Sequence, residues 1–350
     1  MKFDYILVGG GLAGSILAET FLRKGKKVCL IQDDSMSHCS YISAGLFNPI
    51  VFKRMTLSWM AEEGISAMLE FFRICEASSK IGFVRNLDCY KLLTEEEALV
   101  WQKKSKNELE SFVDPDHVAA AERLMFLKGR LGKINRGGVV DVVGFLRLVK
   151  EKLKKQGGWK EERFDFDKIE ISENGIRYKE VSAKQIIFCE GYLVGENPYF
   201  SHCGWKPVKG EMILVDCPEL RMDFLLFKDF FILPQQNAAH HFLVGATYHW
   251  DALNEELTKE GRDFLVQKFS SLVPYPFEVI RQIAGVRPAT IDRRPVIGLH
   301  PKHKCLGVFN GFGTKTLLLA PYFAEQLYQH LENNMELAAA VKVSRFSKTL

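Results

Sequence analysis

The sequence predicts an α/β protein in two domains, one built on a parallel sheet and the other on a mainly antiparallel sheet. Three observations lead to this fold class. A glycine motif stands between an apolar strand and a helix near residue 10, short strand-like segments fill residues 208–248, and a strand–turn–helix pattern begins near residue 305. A chain of 350 residues is long enough for two domains with a sizeable core.

The composition is typical of a globular protein and argues against several other classes. Apolar residues make up 47% of the chain and charged residues 26%. The net charge of +4 is too balanced to indicate nucleic-acid binding by itself. No run approaches the roughly 20 apolar residues of a membrane span. The early Asp4 and three interrupting glycines argue against a secretory signal, so we expect a soluble cytoplasmic protein.

Cysteine and histidine usage gives no sign of a metal centre. The eight cysteines show neither a CxxC pair nor a Cys/His ligand spacing, and most stand beside apolar residues. We therefore expect reduced thiols rather than disulfides. His240 and His241 follow the polar segment "QQNAA" without a second ligand cluster, so we interpret them as part of a solvated hairpin turn.

The strongest motif lies at the N-terminus. The apolar run "YILV" suits a buried strand, and Gly9, Gly11 and Gly14 follow it at G-x-G-x-x-G spacing. A helical apolar pattern then runs to Gly25, before the strand-like segment "KVCLI". The first glycine allows a tight turn, the second lets a pyrophosphate approach the backbone, and the third lets the helix pack closely. This context predicts a Rossmann-like, dinucleotide-binding domain whose helix N-terminus receives the diphosphate.

The residue that ends the second strand weakens this fingerprint without overturning it. A carboxylate normally binds the adenosine ribose at that position, but the chain has Gln32, followed by Asp33 and Asp34. An amide oxygen also accepts a hydroxyl proton, although without charge assistance. No arginine stands nearby in the sequence to bind a 2′-phosphate, so NADP is disfavoured.

The remaining elements are predicted from the spacing of apolar residues and from the glycine, proline and capping residues between them. Helices are predicted over 56–76 and 94–111, after a possible N-cap at Asp141, and in "LNEELTKEGRDFLVQKFSSLVP", which Pro274 closes. The segments "AKQIIFCEG", "EMILVD", "DFFILP" and "HFLVGATY" resemble strands. The strand "LGVFNG" leads into a Gly-Phe-Gly-Thr turn and a last helix, whose regular part starts or kinks at Pro321. Loop amides and a helix start at this place can stabilise negative charge on a cofactor ring.

This ordered set of motifs resembles the flavin-dependent family of glycine oxidase, D-amino acid oxidase, sarcosine oxidase and the oxidase domain of the tRNA wobble-uridine modification enzyme. The matching segments are the glycine loop, "SYISAGLFNP", "VDVVGFLRLV", "IIFCEGY", "PVKGEMILV", "LVGATY", "GVRPATIDRRPVIG" and "NGFGTKTLLLAP". The resemblance implies a discontinuous FAD-binding domain of residues 1–80, 137–204 and 285–350. It also implies an α+β substrate-binding domain of residues 81–136 and 205–284. "AGVRPAT" contains no cysteine, so we expect non-covalent FAD.

The resemblance also implies which residues contact FAD. Gly191 would approach the adenine side, and the turn from Gly311 through Thr316 would face the pyrimidine edge of the isoalloxazine; the alternative is that this turn is a plain strand–helix connection. The implied FAD-binding residues are Gly9, Gly11, Gly14, Gln32, Asp33, Ser40, Ala44, Gly45, Leu46, Gly191, Gly311, Phe312, Gly313, Thr314, Lys315 and Thr316.

Three residues form the implied substrate site. Arg287 matches the position where glycine and D-amino acid oxidases bind the substrate carboxylate, and a guanidinium can grip a carboxylate through two parallel hydrogen bonds. The alternative is a structural ion pair with an acidic neighbour. Phe231 replaces the substrate-facing tyrosine of glycine oxidases, and Leu243 fills the place of a lysine in sarcosine oxidases. Tyr248 either replaces the lost hydroxyl or packs across the sheet. These departures argue against glycine itself as the substrate.

The function implied by the resemblance is oxidation of a C–N bond in a small amine or amino acid, by hydride transfer to FAD. Oxygen is one candidate for the electron acceptor, and the sequence leaves oxidase and dehydrogenase as alternatives. One alternative is oxidation of a carboxymethylaminomethyl group on a tRNA wobble uridine, which needs a basic surface. Lys150, Lys152, Lys154 and Lys155 offer such a patch, but neighbouring glutamates dilute it and nucleic acid is disfavoured. The other alternative is a flavin-binding subunit without turnover.

Overall fold

Two large β-sheets organise the protein. The computed structural model describes residues 1–35, 39–120, 126–172, 175–236, 238–251 and 253–349. In these segments, strands β1 to β22 and helices α1 to α6 are numbered in chain order. A six-stranded sheet is formed by the N-terminal, central and C-terminal segments, and an eight-stranded sheet is formed by the chain between them.

The six-stranded sheet is parallel except at one edge. Its spatial order is β11 (Trp159–Glu161), β2 (Val28–Gln32), β1 (Tyr5–Val8), β15 (Gln185–Phe188), β22 (Leu306–Asn310) and β21 (Val296–Leu299). Only β21 pairs antiparallel in these described strands. Because the central strands are buried on both faces, they carry the continuous apolar runs seen in the sequence.

Helices and a small sheet cover the two faces of this sheet. One face packs against helices α1 (Leu12–Arg23), α2 (Ala61–Ser79), α4 (Val142–Lys155) and α6 (Thr316–Asn333). The other face packs against the antiparallel strands β12 (Ile169–Ser172), β13 (Gly175–Tyr178) and β14 (Val181–Ala183). The carboxyl ends of β1, β2, β15 and β22 therefore stay open between these layers, where ligands bind in parallel sheets.

The eight-stranded sheet is mainly antiparallel. Its spatial order is β20 (Glu278–Arg287), β16 (Val208–Asp216), β19 (His241–Gly245), β18 (Phe231–Pro234), β17 (Leu225–Phe227), β7 (Cys89–Leu93), β9 (Arg130–Ile134) and β8 (Val113–Ala120). Only the β7–β17 pair is parallel among the described pairs. Helix α5 (Lys259–Ser270) packs on one face, and α3 (Glu95–Ser105) joins the core on the other.

Short elements complete the chain. The small sheets pair β3 (Leu46–Phe47) and β6 (Val84–Arg85) with β10 (Gly138–Val140), and β4 (Ile50–Val51) with β5 (Thr56–Leu57). Short 3₁₀-helices occupy Phe166–Lys168, Gly191–Glu196, Gly313–Lys315 and Val343–Thr349.

The predicted fold class is confirmed, and several element boundaries needed correction. The two large sheets fall into the two predicted sets of segments, apart from the end of β20, although the domain limits themselves stay a prediction. The Asp141 cap is confirmed, because its Oδ1 accepts the Gly144 amide hydrogen at 2.9 Å. The helix predicted to start at 56 begins at Ala61, since the preceding residues pair as β5. The helix predicted over 94–111 ends at Ser105.

One further helix prediction was wrong at its start, and one of the two alternatives for the last helix is excluded. The helix predicted from Leu253 begins at Lys259, because the Thr258 hydroxyl caps it by accepting the Gly261 amide hydrogen at 3.0 Å. Helix α6 begins at Thr316 and contains Pro321, which excludes a start at that proline.

The structure also bears on cysteines, membranes and metals. All eight cysteines lie in described segments and are unpaired. Within those segments, every helix is too short or too polar to cross a bilayer. No cluster of three or more His, Cys, Asp or Glu suited to a metal occurs among the described residues. His240 Nδ1 lies 3.5 Å from Arg221 Nη1, just before β19 begins at His241.

Candidate active site

A cavity of about 1760 Å³ lies between the open edge of the six-stranded sheet and one face of the eight-stranded sheet. This volume exceeds the roughly 300–1000 Å³ of a typical small-ligand pocket, so it has room for a large cofactor and a second molecule. Every predicted site residue except Gly14 lines it. These are Gly9, Gly11, Gln32, Asp33, Ser40, Ala44, Gly45, Leu46, Gly191, Phe231, Tyr248, Arg287 and residues 311–316.

The glycine loop forms one end of this cavity. Gly9 has φ of +101°, and a Cβ there would run into the backbone of Cys189 and Glu190. A Cβ on Gly14 would clash with the carbonyl of Gly9, so Gly14 serves close helix packing behind the loop. Helix α1 begins after Gly11, which has no side chain to cap it, and its first turn contains no acidic residue. Its N-terminus therefore presents positive charge to the cavity, as an anion site requires.

Gln32 holds the glycine loop in place. The side chain is 4% exposed, its Oε1 accepts the Gly10 amide hydrogen, and its Nε2 donates to the Asp33 carbonyl at 3.0 Å. An amide oxygen has a second lone pair, so a ribose contact is still compatible with this geometry and stays a prediction. Ser40 lies close by, where its Oγ accepts the Leu12 amide hydrogen at 2.9 Å.

The turn after β22 forms the second wall of the cavity. The Asn310 side chain ties two loops together, because it donates to the Gly191 carbonyl at 2.9 Å and accepts the Gly311 amide hydrogen at 2.8 Å. The Gly313 amide donates to the Pro288 carbonyl at 2.9 Å. Lys315 reaches back and donates to the Asn48 carbonyl at 3.0 Å. These contacts hold the turn against both the flanking loop and the end of β20.

Arg287 lies on the opposite side of the cavity, at the end of β20. Its guanidinium occupies the position where a Cβ on Gly210 would stand, and its Nη1 lies 3.4 Å from the Thr247 carbonyl. Burial lowers the pKa of Arg287 from its ordinary value. Among the described side chains, no carboxylate pairs with it, so the ion-pair alternative lacks a partner. The donor fork remains available to a ligand.

Tyr248 contacts this guanidinium, and Phe231 lines the same cavity. The Tyr248 ring is half-exposed, and its centroid lies 4.7 Å from the Arg287 guanidinium carbon. Tyr248 therefore packs on the face of the cation. Phe231 begins β18 opposite Gly245, and two of its ring carbons would lie 3.0 Å from a Cβ on that glycine. The three predicted substrate residues thus meet on one face of the eight-stranded sheet.

Comparison with known families identifies the cofactor of this chain. The DAO family, described as FAD dependent oxidoreductase, matches residues 4–329. The chain belongs to this family. Its cofactor is therefore FAD, as in the flavoproteins that share its fold.

Individual relatives are distant but extensive. The glycine oxidase of Pseudomonas putida KT2440 is 24% identical over 358 residues, covering 92% of each chain. The bifunctional tRNA-modification protein MnmC of Leptospira borgpetersenii is 24% identical over 327 residues, covering 83% of this chain and 47% of MnmC. The chain thus spans about half the length of the first MnmC relatives. The crystal structure of glycine oxidase from Geobacillus kaustophilus superposes with a TM-score of 0.81 at 20% identity, covering 98% and 99% of the chains.

The cavity of this DAO-family chain fits FAD. The N-terminus of α1, with no acidic residue in its first turn, and the side-chain-free surface at Gly9 and Gly11 suit a diphosphate. The turn at Gly311 and Gly313, both with positive φ, brings backbone close to the cavity at its other end. The cavity connects the two sites, as an extended dinucleotide needs.

Lys315 and Glu190, which both line the cavity, also have shifted pKa values. Burial lowers the pKa of Lys315 to about 8. Burial raises the pKa of Glu190 to about 7, against the opposing effect of an Asn197 Nδ2 hydrogen bond to its Oε2 at 2.7 Å.

Sequence reasoning named Lys315 but missed Glu190, Asn310 and Gly210. The signal for Glu190 was a charged residue directly after a buried strand, in "IIFCEG". The signal for Gly210 was a glycine just before the strand segment "EMILVD".

Proposed function

We propose that this FAD-dependent oxidoreductase oxidises the C–N bond of an amino acid. The observation that carries the proposal is the desolvated Arg287 guanidinium, which faces the FAD cavity without a carboxylate partner among the described residues. A buried cation of this kind is stabilised by a bound anion. A substrate carboxylate would supply that anion and fix the amino group beside it.

The protein's part in this reaction is positioning and electrostatics. Arg287 would hold the carboxylate through two parallel hydrogen bonds, while Tyr248 covers the other side of the guanidinium. Bound FAD supplies the chemistry of accepting a hydride from the carbon that carries the amine. Lys315 would place positive charge at the turn after β22, where negative charge on a reduced ring is stabilised.

Anaerobic titration of the purified flavoprotein tests this proposal. Glycine, sarcosine, proline and both enantiomers of larger amino acids are added while the visible flavin band is followed. Bleaching by at least one amino acid is expected. The variant Arg287→Met should raise the dissociation constant for that substrate about 10- to 100-fold, because a charged hydrogen-bond pair is lost. Arg281→Met is the matched control, since Arg281 is exposed on the same strand.

The two alternatives give different results in the same titration. The MnmC relatives favour a tRNA substrate as the second candidate. Two lysines of the candidate basic patch are already engaged, Lys150 with Asp34 and Lys152 with the buried Glu19. Bleaching only by modified tRNA would select that candidate. Tight FAD binding without reduction by any amino acid or tRNA would select the non-catalytic subunit. In every case we place the protein in a reducing compartment such as the cytoplasm, in keeping with its unpaired cysteines.

A further inference from the structure

One face of the eight-stranded sheet forms the floor of the cavity. Lys91 pairs with Phe227, Phe227 with Phe231, Phe231 with Gly245, and Gly245 with Met212. Side chains directly opposite each other in a sheet point to the same face. A continuous row therefore crosses from β7 to β16, and each of its members lines the cavity.

Side chains cover the floor between its two ends. Gly245 has no side chain of its own, but Met212 and Phe231 lie over it, because a Cβ there would stand 2.5 Å from Met212 Cγ and 3.0 Å from two ring carbons of Phe231. At one end the space above Gly210 is filled by the Arg287 guanidinium. The other end is closed by Phe227, which pairs with Phe231. A molecule held by Arg287 would thus extend across Met212 and the Phe231 ring toward Phe227.

A third phenylalanine completes the closed end. Phe52, from the loop between β4 and β5, also lines the cavity, and its ring centroid lies 4.9 Å from that of Phe227 with the planes inclined by 44°. We call Phe52, Phe227 and Phe231 the aromatic end. Beside it, Lys91 is 4% exposed, its Nζ donates to the Leu92 carbonyl at 3.0 Å, and it lies 3.6 Å from the Glu97 carboxylate. The charge of Lys91 is therefore balanced, so a charged ligand group gains little from this end.

The distance between the two ends selects the size of the ligand. The guanidinium lies over β16, and Phe227 is on β17, three strand intervals away. Three intervals of about 4.8 Å span about 14 Å. A charge-assisted hydrogen bond takes about 3 Å of this, and ring contact about 3.5–4 Å. About 7 Å remains between a bound carboxylate and Phe227, which suits an amino acid with a side chain of ring size, whereas glycine would reach no farther than Phe231.

We propose that the substrate is an α-amino acid with a bulky, uncharged apolar or aromatic side chain, bound between Arg287 and the aromatic end. This inference rests on the proposed function and names its substrate class. Burial of a ring among three phenylalanines adds hydrophobic contact that glycine and alanine cannot make. The same wall disfavours acidic and basic side chains, because they would be desolvated beside Lys91, whose charge Glu97 already balances.

Binding of unreactive carboxylates to the FAD-loaded protein tests the pocket independently of turnover. Acetate and phenylacetate are titrated while the perturbation of the flavin spectrum is recorded. Phenylacetate is expected to bind at least about tenfold more tightly than acetate. Equal binding of the two would overturn the inference. In parallel, flavin reduction by both enantiomers of phenylalanine and leucine is compared with reduction by glycine and alanine.

Leucine substitutions test which residues cause the preference for phenylacetate over acetate. Phe52→Leu and Phe227→Leu should each reduce the phenylacetate-to-acetate ratio about three- to tenfold. Phe224→Leu is the matched control, because Phe224 is just as buried in this sheet but packs on the opposite face, 5.0 Å from the Tyr90 ring. Its ratio should stay at the wild-type value. Equal loss of preference in all three variants would overturn the assignment of the aromatic end. Phe52 is in a loop and partly exposed, so its variant tests the pocket even where the Phe227 variant fails to fold.

Failure of this inference and failure of the proposed function give different results. If glycine and alanine reduce the flavin as readily as phenylalanine and leucine, the oxidase function stands and the substrate class is wrong. If phenylacetate is preferred but no amino acid of either hand reduces the flavin, the pocket exists and the amino-acid oxidation is wrong.

Discussion

The guanidinium of Arg287 lies over Gly210, across the boundary between β20 and β16. Arg287 pairs in register with Val208, two residues before this glycine. The long arginine side chain therefore crosses the neighbouring strand through a space that only the missing Cβ leaves open. Arg287 and Gly210 form a structural unit although 76 positions separate them in the sequence.

Replacement of Gly210 by alanine should disturb the carboxylate site while preserving the sheet. The new Cβ would occupy the volume of the guanidinium, so Arg287 must move away from its present position. We expect the dissociation constant of an amino acid or acetate to rise at least about tenfold, since the bidentate geometry is lost. Flavin titration of Gly210→Ala measures this.

Gly82→Ala is the control for this substitution. A Cβ on Gly82 would have at least 4 Å of free space among the described atoms, so ligand binding should be unchanged. Wild-type affinity in Gly210→Ala would show that the guanidinium has another position from which it binds carboxylates.

The parts of the site that follow from local pattern were predictable from the sequence. The glycine loop, β1, α1 and β2 form one contiguous segment in which turn chemistry and apolar periodicity agree. The turn after β22 was recognised for the same reason. Local signals of this kind also located Asp141 as a helix cap.

The contacts that join distant segments were not predictable. In the sequence Asn310 is an ordinary residue at the end of a strand. Its role depends on the fold, which places the Gly191 carbonyl within hydrogen-bond distance of its side chain. The row from Lys91 to Met212 depends on the register of four strand pairs, and register is set by packing of the whole sheet. The helix predicted from Leu253 begins later because its N-cap residue, Thr258, donates hydrogen bonds to the carboxylate of Glu211. This contact joins residues that are far apart in the sequence.

Lys315 gives the turn after β22, which we propose faces the flavin, a charge that depends on pH. Its pKa of about 8 means that the ammonium is mostly charged at pH 7 and neutral above about pH 9. A cation near the flavin favours the reduced, negatively charged ring. Lys315→Met should therefore lower the two-electron midpoint potential by about 30 mV at pH 7, which corresponds to about 1.4 kcal/mol.

The difference in midpoint potential between wild type and Lys315→Met should shrink as the pH rises through about 8, because the wild-type lysine then loses its charge. Equilibration with a redox dye of known potential between pH 6.5 and 9 measures this difference. Lys302→Met serves as control, since Lys302 is exposed on the loop between β21 and β22. An unchanged potential in Lys315→Met would show that this turn does not face the flavin ring.

Glu190 should make the stability of the FAD-free protein depend on pH. Its pKa is about 7 in the folded state, above the ordinary 4.5, because burial disfavours the carboxylate. The folded state therefore holds a proton that the unfolded state has released between about pH 4.5 and 7. Stability from this group is complete below that window and is lost as the pH rises through it, by up to about 3 kcal/mol.

Glu190→Gln cannot ionise, yet its amide oxygen can still accept the hydrogen bond from Asn197. Urea unfolding of the apoprotein should show a variant that is more stable than wild type at pH 8 and similar at pH 4.5. Glu196→Gln, an exposed neighbour lining the same cavity, should match wild type at both values. A Glu190→Gln protein that is equally destabilised at both pH values would mean that Glu190 stabilises the fold as a carboxylate.

The carboxylate of Glu211 is fully buried at the N-terminus of α5, where it organises the wall behind Arg287. It accepts the Thr258 hydroxyl hydrogen at 2.6 Å and the Thr258 amide hydrogen at 3.1 Å, and Gln282 donates to it at 2.5 Å. Lys209 lies 3.9 Å away. A Cβ on Gly261 would clash with it, so this helical glycine makes room for the carboxylate. The helix N-terminus and the donated hydrogens together balance its charge.

Glu211→Gln should lower the free energy of unfolding by about 3 kcal/mol, because the amide group brings a donor to a site where every partner is a donor. Denaturant titration measures this loss. Glu260→Gln changes an exposed acid in the first turn of the same helix and should cost less than about 1 kcal/mol. The backbone of Glu211 also pairs with Thr247, whose carbonyl lies against Arg287. Glu211→Gln should therefore also weaken carboxylate binding at Arg287. Equal unfolding free energies of Glu211→Gln and Glu260→Gln would show that the buried carboxylate contributes no more to stability than a surface charge.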